Sequence, residues 1–156
     1  MKRDRAIKFF KLAETQAQLF SKDSSTKVGA LFIAPESLQI LSMGYNGFCR
    51  GVDDDKASRW ERPAKYMYVC HAEQNGIYNA CRHGTRLEDS IAVVTLFPCC
   101  DCAKALIQVG VSTIVTRKPD YADAQWGAQF RVSTELFEEV GMRLIFLDDE
   151  DTRAVL

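Results

Sequence analysis

No apolar run in this chain is long enough to cross a bilayer as a helix. Neither sign of charge is in excess: 20 basic residues stand against 21 acidic ones, for a formal net charge of -1. The broad cationic surface that grips a nucleic-acid backbone is therefore missing, and a small substrate is favoured over a polymer. Proline is sparse, at 4 residues. No internal repeat, low-complexity tract or linker divides the chain. The N-terminal segment is charged and amphipathic from its first residues and lacks the apolar core and cleavage site of a secretory signal, so a cytoplasmic location is expected. What remains is a single domain, residues 1–156, 47% hydrophobic and long enough to bury a real core. Six cysteines are present. In a shorter extracellular chain they would suggest a disulfide framework, but here most gather around one motif, as thiols in a reducing compartment do.

That motif has two halves, His71-Ala72-Glu73 and Pro98-Cys99-Cys100-Asp101-Cys102. One imidazole and two thiolates supply three ligands to a zinc ion, which takes four, so the last position stays open to water. Zinc lowers the pKa of such a water to about 7. Glu73, two residues from His71, is placed to move its proton. The Cys99/Cys102 spacing alone would equally suit a redox pair or a closed structural zinc. The upstream His-x-Glu favours the open, catalytic arrangement, because together the halves make the pattern of zinc enzymes that deaminate nucleobases.

The intervening residues predict geometry. Residues 71–82 read as a helix stopped at Gly84, and residues 90–97 as a buried strand. Pro98 is expected to open a second helix at its first position, with Gly110 closing it. Cys99 and Cys102 would then lie on one side of the first turn, where the positive helix end favours thiolate. Around this centre the pattern gives a helix at 3–20 with Ala6, Phe9, Ala13, Ala17 and Phe20 on one face. Strands follow at 28–34 and 39–44, joined by a turn at 35–37. Beyond the second helix come a strand at 113–116, a helix at 125–140 and a strand at 143–147. Alternating elements imply an α/β fold, a mixed sheet between helices.

At these residues the chain resembles the zinc-dependent cytidine and deoxycytidylate deaminases. Ser21-Lys22-Asp23, Val28-Gly29-Ala30, Gly44-Tyr45-Asn46-Gly47, His71 through Asn75, and Phe97 through Lys104 are similar in order and spacing to the deoxycytidylate branch. The resemblance implies a cytidine deaminase-like three-layer α/β/α fold with a five-stranded mixed sheet. It implies one zinc on His71, Cys99 and Cys102, and Glu73 as the catalytic proton shuttle. The implied reaction is hydrolysis of dCMP to dUMP and ammonia. Cytidine, 5-methyl-dCMP and tRNA adenosine are alternative substrates of the same chemistry, and a non-enzymatic zinc protein used for assembly is the alternative of another class.

For the substrate, the resemblance points to Asn46 at the sugar, to Ser21 and Lys22 at the 5'-phosphate, and to Tyr121 stacking on the base. Each has a plainer reading: Asn46 can serve its own Gly-flanked turn, Lys22 can be a solvated surface charge, and Tyr121 can simply pack. The turn containing Gly44, Tyr45, Gly47 and Gly51 resembles a regulatory site, where dCTP activates and dTTP inhibits with Mg2+ present. The long aperiodic stretch after it, with Asp53-Asp54-Asp55, Arg59, Glu61, Arg62 and Lys65, reads either as that function or as a solvated charged loop. Two residues depart from the usual pattern. Cys49 replaces a Pro after Gly-Phe, and Gly76 stands where Ala is usual, at a cost of about 1 kcal/mol in a helix. The resemblance further implies a homohexamer, with Asn79 and Arg82 at a subunit contact.

Overall fold

Along Gly29–Ile33, successive side chains alternate between two faces, and every one of them is buried. A strand with both faces buried needs a layer of helices on each side. The computed structural model, which describes residues 1–153, supplies both layers. In chain order the elements are α1 (Arg3–Phe20), β1 (Gly29–Ile33), β2 (Ile40–Tyr45), β3 (Gly47–Phe48), a 3-10 turn (Ala57–Arg59), α2 (Lys65–Tyr68), β4 (Val69–Cys70), α3 (Ala72–Arg82), β5 (Ile91–Val94), α4 (Cys100–Gln108), β6 (Thr113–Arg117), α5 (Gly127–Glu139), β7 (Arg143–Leu147) and α6 (Asp149–Arg153). The main sheet runs β2-β1-β5-β6-β7. β1 is antiparallel to both β2 and β5, whereas β5, β6 and β7 are mutually parallel.

Ala30, Phe32, Ala92, Val94 and Ile114 point to the side covered by α3, α4 and α5, where they meet Ala72, Ala103, Leu106, Phe130 and Phe137. Leu31, Ile33, Ile91, Val93 and Val115 point the other way, onto Ala6, Phe10 and Ala13 of α1. The expected three-layer α/β/α arrangement with its five-stranded mixed sheet is the observed one. No described helix is long and apolar enough to cross a membrane.

Three local expectations change. Phe20 is not on the buried face of α1 but 58% exposed, stacked on Tyr45, while Phe10 fills the core position. Phe20 is the last residue of α1, and its ring is covered on one side only, by Tyr45 at the end of β2. Pro98 does not begin α4. Cys99 is the capping residue in an extended conformation, and the helix proper starts at Cys100. The strand expected at 90–97 pairs only as Ile91–Val94, because the chain leaves the sheet to carry Cys99 to the helix start. Gly84 and Gly110 do take the left-handed conformation that ends α3 and α4, with φ of 65° and 79°.

Gly76 has a packing role. A Cβ there would lie 2.4 Å from the ring of Phe32, and one on Gly44 would lie 2.2 Å from the carbonyl oxygen of Ala72 and 2.3 Å from the nitrogen of Gly76. Two glycines thus let α3 rest directly on β2 and β1. Propensity and packing make opposite predictions for Gly76→Ala. The first expects a gain of about 1 kcal/mol. Packing expects a loss, since Phe32 is fully buried and overfilling a core costs about 1–3 kcal/mol. We expect a net loss in urea unfolding, and an unchanged or higher midpoint would show that the contact has slack.

Candidate active site

His71 sits at the junction of β4 and α3 as the helix cap, and Cys99 holds the same position on α4. The two helix starts converge. Nδ1 of His71 lies 3.3 Å from the sulfur of Cys99 and 3.4 Å from that of Cys102. All three donor atoms lie within 4.8 Å of one another, and they form the only such group of potential metal ligands among the described residues. Tetrahedral zinc, with bonds of about 2.3 Å to sulfur and about 2.0–2.1 Å to nitrogen, sets its N and S donors about 3.5 Å apart. The donor set therefore fits zinc in both chemistry and spacing. With three protein ligands, it also leaves one position for a small molecule.

Electrostatics divides these groups. The thiol of Cys99 is pulled down to about 4, first by the hydrogen bond it shares with Cys102, against burial, and then by His71. Cys102 moves upward, because it holds the proton of that bond and is itself buried. His71 is raised by its contact with the Cys99 sulfur. Glu73 is 3% exposed. Burial pushes its carboxyl up to about 7, against the pull of the His71 imidazole. The corner thus holds a sulfur biased toward thiolate beside His71, with a carboxyl that burial pushes toward neutrality.

His71, Glu73 and Cys99 open on a cleft whose walls include Val69, Leu96, Phe97, Trp126 and Phe130. The Trp126 indole meets the ring of His71 edge-on at 5.8 Å and that of Tyr66 at 6.2 Å. Asn46 lines the same cleft, yet all its amide capacity is used internally. Its Oδ1 accepts from the Ser21 hydroxyl and the Val28 N–H, each at 2.9 Å, while Nδ2 donates to Asp23 and to the carbonyl of Thr26. Asp23, buried, also accepts from the Nζ of Lys65 at 2.7 Å and from Ser25 and Thr26. Burial pushes the Asp23 carboxyl up, but the bonds from Lys65, Ser25 and Thr26 more than offset it and hold the group below the ordinary aspartate value.

Several expected residues stand elsewhere. Ser21 is buried beneath Asn46, with its hydroxyl already donated to it. Lys22 turns away from the cleft to Asp54 and Asp55, at 2.7 and 2.8 Å. Tyr121 shares a hydrogen bond with Thr134 and carries Arg131 over its ring, outside the cleft lining. Lys22, Tyr45 and Gly47 line a second cavity, together with Phe20, Phe48, Arg50, Asp54, Trp60, Asn75 and Asn79. Gly44 instead faces α3, and Gly51 occupies a left-handed turn with open space around it. Asn79 binds Arg50 and the carbonyl of Met43, whereas Arg82 is exposed. The sequence reading missed Trp126, Tyr66, Asp23 and Thr26 in the cleft, and it took Arg62 and Lys65 only as members of a charged loop. For Arg62, Lys65 and Tyr66 the usable signal was the length of that aperiodic loop; Asp23, Thr26 and Trp126 lie outside it.

Comparison with known proteins agrees with this geometry. A family model described as the cytidine and deoxycytidylate deaminase zinc-binding region matches residues 3–118. The chain is 37% identical over 145 residues to an uncharacterized deaminase in luxG 3'region of Aliivibrio fischeri, covering 91% of this chain and 92% of that protein. It is 37% identical over 128 residues to human deoxycytidylate deaminase, covering 78% and 68% respectively. Among solved structures, the dCMP deaminase of cyanophage S-TIM5 in complex with dCMP and dUMP superposes with a TM-score of 0.74 at 25% identity, over 94% of this chain and 99% of that one.

The buried Asp23–Lys65 pair makes a stability prediction. Replacing Lys65 by Met strands a buried carboxylate, which costs about 3–5 kcal/mol. Because the folded pKa of Asp23 is depressed, its contribution is present above the ordinary aspartate value and is lost as pH falls through the lower folded one. Urea unfolding of Lys65→Met should therefore show its largest deficit near neutrality and a much smaller one at about pH 3, below the ordinary value of about 3.9. An equal deficit at both would mean that the pair contributes by packing alone.

Proposed function

The chain belongs to the cytidine and deoxycytidylate deaminase family, and we propose that it hydrolyses dCMP to dUMP and ammonia in the cytoplasm, supplying dUMP for thymidylate synthesis. The observation that carries this reading is the three-donor corner beside a buried carboxyl in a cleft that also presents an arginine. His71, Cys99 and Cys102 would hold zinc, which would supply the Lewis acidity that makes water a usable nucleophile near neutrality. Glu73 takes the proton of the attacking water and passes it to N3 of the pyrimidine while C4 is attacked. It then takes the remaining proton from the new C4 hydroxyl and gives it to the amino group, so that the C–N bond breaks, ammonia leaves and the C4 carbonyl forms. Its burial suits both halves of the cycle, since a carboxyl near neutrality accepts and donates with similar ease. Trp126 and Phe130 give the ring an apolar slot.

The 5'-phosphate needs a cation that is not already neutralised. Lys22 is held by two aspartates, and Lys65 by Asp23. Arg62 lines the cleft, has no carboxylate partner among the described residues, and contacts the Ser25 hydroxyl and the ring of Tyr66. We therefore assign the phosphate to Arg62; Ser21 braces the wall through Asn46, and Lys22 faces the second cavity. Asn46, with its amide fully engaged, shapes the wall against the sugar. Tyr121 has no direct part in the base contact.

The second cavity, with Lys22, Arg50 and Asp54 among its polar groups and Tyr45, Phe48 and Trp60 among its rings, suits a nucleoside triphosphate with Mg2+. We assign dCTP activation and dTTP inhibition to it, in a homohexamer.

Three measurements test this function. Glu73→Gln should keep its zinc, measured by metal analysis, and lose at least about 10²- to 10⁴-fold in turnover; turnover near the parent level would remove Glu73 from the mechanism. A panel of dCMP, deoxycytidine and tRNA, each with and without dCTP and dTTP, should release ammonia from dCMP. Arg62→Ala should weaken kcat/KM for dCMP by about 10- to 100-fold, the worth of a hydrogen bond to a charged group, and leave the nucleoside unaffected. Equal use of dCMP and deoxycytidine would overturn the phosphate assignment while sparing the deamination chemistry.

A further inference from the structure

Two cysteines outside the proposed zinc site meet each other. Cys49 and Cys70 have their sulfurs 3.4 Å apart, and both are free thiols. They are far apart in sequence and are brought together by the small β3–β4 sheet, in which Gly47 pairs with Cys70 and Phe48 with Val69. Cys49 follows directly on the end of β3, where no strand pairing fixes it. It is exposed, whereas Cys70 is half-buried.

A disulfide requires its sulfurs to be about 2.05 Å apart, so the pair is about 1.4 Å short of bonding distance. Cys49 can make that movement because only a turn follows it. Neither remaining cysteine outside the zinc set has such a partner: Cys100 donates to Gln129, and Cys81 is exposed on α3. We propose that Cys49 and Cys70 are a redox-responsive thiol pair, closed to a disulfide by a peroxide and reopened by a dithiol.

The step balances as follows. The exposed Cys49 sulfur attacks one oxygen of the peroxide; the O–O bond breaks, Cys49 becomes a sulfenic acid, and one water leaves. The Cys70 sulfur then attacks that of Cys49; the S–O bond breaks, the S–S bond forms, and the departing hydroxide takes the Cys70 proton as a second water. Two thiols lose two electrons in all, and the peroxide is reduced to two waters. Reversible pairs of this kind suit a compartment in which structural disulfides do not persist.

The position gives closure a mechanical consequence. On one side of Cys49 is Phe48, stacked on Trp60 at 4.3 Å, and on the other Arg50, bound to Asn79. All four neighbours line the second cavity. A bridge to Cys70 ties that wall to the strand that leads into His71, and it does so without using any residue of the three-donor corner.

The test uses the full-length, zinc-loaded protein treated with hydrogen peroxide and read by intact mass and peptide mapping. We expect a loss of two hydrogens, a peptide linking Cys49 to Cys70, and full reversal by dithiothreitol. Cys81→Ser should behave like the parent. Cys49→Ser should give neither the linked peptide nor the two-hydrogen loss. Oxygen added to Cys49 without a link, a link between any other pair, or a two-hydrogen loss that survives Cys49→Ser would each overturn the proposal.

Discussion

Three donor atoms from two helix starts, 28 residues apart between His71 and Cys99, have to arrive within bonding range of one ion, and the rest of the molecule is arranged around that demand. Neither helix could satisfy it alone. α3 is seated by backbone contact: Gly44 and Gly76 remove the side chains that would lift it off β2, and the carbonyl nearest to Gly44 belongs to Ala72, the residue after His71. α4 is seated from the other side by Phe97, whose ring lies edge-on to those of Phe130 and Phe137 just before Pro98 and Cys99. The height of one helix and the lateral position of the other are thus fixed by different kinds of contact. A shift of even an ångström in either would separate His71 from the sulfurs, a tolerance typical of preorganised sites.

Buried carboxylates of opposite character follow from how many donors each is given. Burial pushes both Asp23 and Glu73 upward. Asp23 receives an ammonium, two backbone N–H groups, a hydroxyl and an amide, and so it remains a fixed anion. Glu73 has fewer such partners, and burial prevails. One cleft therefore contains a carboxylate that braces the wall through Asn46 and another whose proton is easily moved. Different roles for chemically similar groups arise from their surroundings, as a general rule for acid and base catalysis requires.

What the sequence disclosed and what it withheld divide along the same physical line. The helices, the main strands and the His71/Glu73 and Cys99/Cys102 halves were legible because periodicity and ligand chemistry are local properties. β3 and β4 are two residues each, too short to show a period. The cleft wall was harder still. Lys65 is placed by a carboxylate 42 residues away, and Trp126 by the turn before α5, so neither announces its role to its neighbours in sequence. The setting of Lys22 was withheld for a similar reason: its aspartate partners lie more than thirty residues downstream. Motif residues reveal chemistry, whereas loop residues acquire theirs from long-range pairing.

The segment between β3 and β4 belongs to both cavities, which bears on any coupling between them. Phe48 and Trp60, the latter directly after the 3-10 turn, wall the second cavity, and Arg62 with Lys65 and Tyr66 of α2 wall the cleft. The Trp60 indole is tied to the Asp54 carbonyl and the Arg59 guanidinium to that of Asp53, so the segment is a folded piece and not a loose tether. Moving its first half therefore has a direct mechanical route to Arg62. A ligand in the second cavity can exploit that route only by binding one arrangement of the segment more tightly than another, and its effect on dCMP is bounded by that difference. Reciprocity then requires occupancy of the cleft to change affinity in the second cavity by the same factor. The coupling is to be sought in this one shared wall, since the sheet and its helices are packed too densely to deform gradually.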